Sequence, residues 1–135
     1  MAAPWRLLER DTGRTILDRL EIADRYWSRL VGLQFRSEPP SGFGLLLAPC
    51  PSVHTFFVRF PVDLAMFDRA GRVLEVRREV RPWRVPMPTK RTFAILEVPT
   101  THRVDLDVGA LVRIEAPDVD RRRLSKALAA WCGES

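Results

Sequence analysis

The chain has 135 residues, 46% of them hydrophobic and 29% charged, which is enough apolar side chain for one substantial core and excludes wholesale disorder. Twenty of its 22 basic residues are arginine and the formal net charge is +5, a balance that suits anion contacts without naming a partner. No apolar run approaches the ~18 residues of a membrane span, and Arg6, Glu9 and Arg10 break up the start of the chain, so a single cytoplasmic domain over 1–135 with no membrane partner is expected.

In chain order, Trp5 to Glu9 reads as a strand, Asp11-Thr12-Gly13 as a turn and Thr15 to Leu20 as the returning strand of an opening hairpin. Ile22, Tyr26, Leu30 and Leu33 recur at helical spacing with Gly32 placed to stop the helix, and Pro39-Pro40 enforces a loop. Six short runs bounded by Pro or Gly follow: Phe43 to Ala48, Val53 to Phe60, Val62 to Asp68, Arg72 to Val80, Thr92 to Val98 and Leu111 to Ala116. Asp68-Arg69-Ala70-Gly71 predicts a type I turn with Gly71 at positive φ, joining two of these runs in a hairpin. Pro82, Pro86 and Pro88 make residues 81–90 an irregular excursion. Asp118 or Asp120 can cap a final helix over about 118–132 that carries Leu124, Ala127, Leu128 and Trp131 on one stripe. These elements predict a mainly β domain, an antiparallel sandwich or partly open barrel with one short N-terminal helix and an appended C-terminal helix.

Cys50 and Cys132 are too few for a disulfide framework, and a reducing compartment keeps both as thiols. Neither belongs to a CxxC pair, and His54 and His102 are the only histidines, so neither a metal nor a cofactor is expected.

The segment Cys50-Pro51-Ser52-Val53-His54-Thr55-Phe56-Phe57-Val58-Arg59-Phe60-Pro61-Val62-Asp63-Leu64, followed by Asp68-Arg69-Ala70-Gly71, resembles the family known as domain of unknown function 192. Arg29-Leu30-Val31-Gly32-Leu33, Gly44-Leu45-Leu46-Leu47 and Leu96-Glu97-Val98-Pro99 resemble further motifs of that family in the same order, so the likeness covers about residues 14–115. Val58 stands where the family usually has Met, and Thr100-Thr101 where Ala-Gly is usual. The resemblance implies a compact, mostly antiparallel β fold with a short helix, and it implies no reaction, cofactor or substrate.

Candidate chemistry concentrates between residues 54 and 63. His54, Thr55, Arg59 and Asp63 lie among Phe56, Phe57 and Phe60, a composition suited to a pocket with apolar walls and a polar floor for a small polar or anionic ligand or a partner's peptide. If residues 54–59 return onto 62–68, Arg59 opposes Asp63, Phe56 opposes Met66 and His54 opposes Asp68. The structural reading of Arg59 and Asp63 is an ion pair fixing strand ends. An enzymatic alternative makes His54 the general acid or base of a metal-independent hydrolase or isomerase. His102 reads as a solvated loop residue. Residues 69–91 hold eight basic residues, Arg77, Arg78, Arg81, Arg84 and Arg91 among them, against Glu75 and Glu79, so the chain's basicity sits in this run. It reads either as a solvated edge or, with Trp83, as a polyanion or nucleic-acid patch. A monomer or weak homodimer is expected.

Overall fold

The computed structural model describes residues 5–23, 42–49, 60–81, 90–102, 104–115 and 124–133. The opening hairpin forms from β1 (Trp5–Glu9) and β2 (Thr15–Ala23), with Leu7 opposite Leu17. At its tip Gly13 takes φ 74° and its N–H donates to the Glu9 carbonyl at 2.9 Å. Hydrogen bonds from the Thr12 hydroxyl and the Arg14 guanidinium hold the Glu9 carboxyl below its ordinary pKa. That contribution to stability is present above the ordinary value and is lost as pH falls through the lowered one.

β2 runs on to Ala23, so Ile22 and Ala23, expected to begin a helix, are strand residues instead. They pair with Leu46 and Leu47 of β3 (Phe43–Leu47), and this cross-strand pairing overrides the 3.6-residue spacing. The rest of the expected N-terminal helix lies outside the described residues. The β2–β3 junction is parallel, whereas antiparallel pairing was expected throughout. Residues 24–42 separate the two strands, and that length exceeds the dozen or so residues that a parallel crossover needs.

Asp68 makes the next hairpin. Its Oδ1 accepts from the N–H groups of Ala70 and Arg72 at 2.9 and 3.0 Å, and Gly71 takes φ 83°, which turns β4 (Val62–Phe67) back into β5 (Val73–Val80). β6 (Ala94–Pro99) lies between β3 and β4, and β7 (Val112–Glu115) pairs with β1, giving the strand order β5-β4-β6-β3-β2-β1-β7. The result is mainly β, as expected, in one mixed sheet rather than a sandwich. The edge strands meet at one corner, where Arg72 bridges Leu111 and the Val73 N–H donates to the Ala110 carbonyl at 2.8 Å.

Every strand sends residues to the inner face, where Leu7, Leu17, Leu46, Phe67, Leu96 and Ile114 form one cluster. Gly44 faces this cluster, and a methyl group there would collide with the Leu17 side chain and press within 3.3 Å of Leu96 and Val98. Gly44→Ala is therefore expected to cost about 1–3 kcal/mol, read as a lower urea midpoint at unchanged m-value. A short helix α1 (Lys126–Ala129) and a 3₁₀ turn at Ala130–Cys132 seal the inner cluster with Leu128 and Trp131. Ser125 caps α1 by accepting from the Leu128 N–H; the caps expected for this region, Asp118 and Asp120, lie outside the described residues.

Strands β3, β4 and β6 are also buried on the opposite, outer face. There Leu45, Leu47, Leu64, Met66 and Ile95 form a second cluster with Phe60 and Val62. β4 and β6 thus read as continuous apolar runs because both of their faces are covered.

Candidate functional site

Two carboxylates are buried among the described residues, Asp63 at 1% exposure and Glu97 at 3%. They face opposite sides of the sheet and have different surroundings. Asp63, on the inner-face side, opposes a β-bulge: Val62 pairs with Val80 and Leu64 with Arg77, leaving Asp63 opposite both Arg78 and Glu79. Glu79 takes φ 55°, an unfavourable conformation for a side-chain-bearing residue, and its N–H donates to Asp63 Oδ1 at 2.9 Å. The Thr100 hydroxyl donates to the same oxygen at 3.0 Å. Arg78 Nη1 lies 3.3 Å from Oδ2 and also donates to the Val104 carbonyl at 2.9 Å. Asp63 therefore fastens the start of β4, the end of β5 and the segment after β6 to one another. Its arginine partner here is Arg78.

Glu97 lies near the middle of the sheet, opposite Leu45 on one side and Leu64 on the other. Its side of β6 is the outer apolar face. The cross-strand row through it reads Arg77, Leu64, Glu97, Leu45, Glu21. Strand spacing puts the backbones of Arg77 and Glu21 each about 10 Å from that of Glu97. Arg77 Nε donates to Glu75 at the rim of this face. A carboxylate among leucines costs several kcal/mol of desolvation before its contacts repay it, and a leucine would serve the β-ladder equally well. Sequence reading placed Glu97 in a family motif without giving it a role. The signal available was one charge inside the apolar run 94–99.

Of the four pocket residues expected from sequence, only Asp63 is described; His54, Thr55 and Arg59 lie outside the described residues. The chain that carries them enters the described sheet at Phe60, a member of the outer cluster. The expected return of 54–59 onto 62–68 falls on residues outside the described ones; β4 itself has β5 on one edge and β6 on the other. Met66 is opposed by Glu75 and Ile95, and Asp68 holds its turn. His102 is half-buried rather than solvated, and its backbone N–H closes a turn onto the Pro99 carbonyl at 2.9 Å. The basic run does not stay together. Arg78 and Arg81 fall at one end of β5, Arg69, Arg72, Lys90 and Arg91 near its other end, and Arg84 lies outside the described residues. Among the described residues no group of His, Cys, Asp or Glu is placed to hold a metal, and no helix is long and apolar enough to cross a membrane.

The model of the family DUF192, described as an uncharacterized ACR, matches residues 7–114. The chain belongs to this family. A UPF0127 protein of Thermococcus sibiricus is 28% identical over 99 residues, 69% of this chain and 62% of that protein. The chain thus spans less than two thirds of that relative's length. A UPF0127 protein of Pyrococcus abyssi is 28% identical over 102 residues, covering 72% of this chain and 85% of its own. A crystal structure of a protein of unknown function from Novosphingobium aromaticivorans superposes with a TM-score of 0.67 at 21% identity, covering 82% of this chain and 83% of its own, which shows a shared fold. An alanine at Thr100 would take away the hydroxyl that donates to Asp63.

Proposed function

We propose that this DUF192 domain is a non-enzymatic binding module that takes a small polar ligand into a buried position at Glu97, beneath the cover of the outer face of β3, β6 and β4. One observation carries the reading. Glu97 holds a carboxylate inside an aliphatic face at a position where the strand ladder does not need it. Ionisable groups placed in buried, apolar surroundings cluster at sites that recognise or react with something. Glu97 would accept from a ligand hydroxyl or amine, and Arg59, with His54 and Thr55, would meet an anionic group. Asp63, committed to the bulge, supports this site from the opposite face instead of lining it.

Thermal shifts over a panel of hydroxy acids, amino acids and phosphorylated metabolites test the reading on the wild type, Arg59→Ala and Glu97→Gln. A compound present at a hundred times its Kd adds about 2.7 kcal/mol of stability to the wild type. The expected result is such a shift in the wild type that either substitution abolishes. No stabilising compound, or equal shifts in all three proteins, would refute the proposal.

A further inference from the structure

The carboxylates of this chain are distributed unevenly over its cations. Among the described residues Arg6, Arg14, Arg77, Arg78 and Arg113 each lie in an ion pair with an aspartate or glutamate. Arg10, Arg69, Arg72, Lys90 and Arg91 do not, and neither do the exposed Arg19 and Lys126 elsewhere, but the first five are exposed together around one end of the sheet. The fold brings them there from separate stretches of chain. Arg10 donates to the Ala70 carbonyl at 3.4 Å and Arg72 to the Gly109 carbonyl at 2.7 Å. Arg69 lies 4.9 Å from the centre of the Phe93 ring, and the Phe93 N–H donates to the Phe67 carbonyl at 2.7 Å, which brings Lys90 and Arg91 beside the Asp68–Gly71 turn. Guanidiniums held by carbonyls and a ring have no carboxylate partner, and the five cations outnumber the three acids at this end. Of the acids nearby, Asp68 is occupied by its turn, and Asp11 and Asp107 are exposed.

A second feature shares this end. Val108, 66% exposed, is the one large apolar side chain that stands exposed among the described residues, and it is next in sequence to the Gly109 that holds Arg72. We infer that this end of the sheet is a peripheral docking surface for an anionic phospholipid membrane, with the five cations on the headgroup phosphates and Val108 entering the interface. The absence of a membrane-spanning run bears on crossing a bilayer and leaves surface contact open. Nucleic acid fits less well, because the aromatic ring at this end, Phe93, is buried under Arg69 and offers no face for a base.

The test is sedimentation of the full chain with phosphatidylcholine vesicles, with and without phosphatidylglycerol, beside retention on duplex and single-stranded DNA at low and high salt. Binding to the phosphatidylglycerol vesicles alone, lost at high salt, is expected. Arg69→Gln and Arg91→Gln should each weaken it about fivefold, because one basic residue near an anionic surface contributes about that factor. Val108→Trp should strengthen it, since Trp favours the membrane interface. Arg19→Gln, an exposed arginine on β2, removes the same charge elsewhere and should change binding little. Failure to bind either vesicle, retention on DNA without vesicle binding, or an equal loss with Arg19→Gln would overturn the inference.

Discussion

Replacing Trp131 by alanine is expected to remove about 3–5 kcal/mol of folding stability, a large share of the ~5–15 kcal/mol available to a domain of this size. The indole is fully buried, 5.4 Å from the Phe67 ring and 6.4 Å from that of Phe93, and it lies against the Cα of Gly71 at the hairpin turn. Its Nε1–H donates to the Arg69 carbonyl at 2.8 Å. The C-terminal segment is therefore part of the core. Urea unfolding measures the cost, and Trp131→Phe separates its parts by keeping a ring while losing the donor, for about 1–2 kcal/mol. A loss below about 1 kcal/mol for the alanine variant would show that the sheet closes its core without this segment.

Asp63→Ala is expected to cost about 2–4 kcal/mol. It leaves the Glu79 N–H and the Thr100 hydroxyl without their acceptor, and leaves Arg78 without its carboxylate. The upper part of the usual range for a broken buried pair is not reached because 36% of the Arg78 side chain meets solvent. The bulge makes a second variant informative. Glu79→Gly removes the penalty of a side-chain-bearing residue at φ 55° and should stabilise the wild type by about 1 kcal/mol. In the Asp63→Ala background it should add clearly more than it adds to the wild type, since the backbone then adopts that conformation without help. Additive effects in the double variant would mean that Asp63 and the bulge are energetically separate.

Both hairpins were legible because their turns are written locally. Gly13 and Gly71 sit at positive φ, and Asp68 is spaced to accept two backbone N–H groups. The stripe of Leu124, Ala127, Leu128 and Trp131 was legible for the same reason, as periodicity within one segment. The insertion of β6 between β3 and β4 was not, because that pairing joins distant runs of interchangeable aliphatic residues, and no local residue marks the partner. The parallel β2–β3 junction left one trace, the length of residues 24–42. The bulge at Arg78 and Glu79 left none, since the residue at positive φ is not glycine. For the site, sequence picked out Asp63 from its aromatic neighbourhood, while the pleat turned it to the opposite face from Glu97, and its partners came from residues 15 to 37 positions away.

On the proposed reading the two buried carboxylates divide the work, Asp63 serving the fold and Glu97 serving recognition. The most direct measurement is urea unfolding of Asp63→Asn and Glu97→Gln beside the wild type, each substitution removing charge at constant shape. Asp63→Asn should lose about 1–2 kcal/mol while Glu97→Gln stays within about 0.5 kcal/mol of the wild type or gains stability. A loss at Glu97→Gln as large as that at Asp63→Asn would make Glu97 a second structural fastener and contradict its assignment to a binding site.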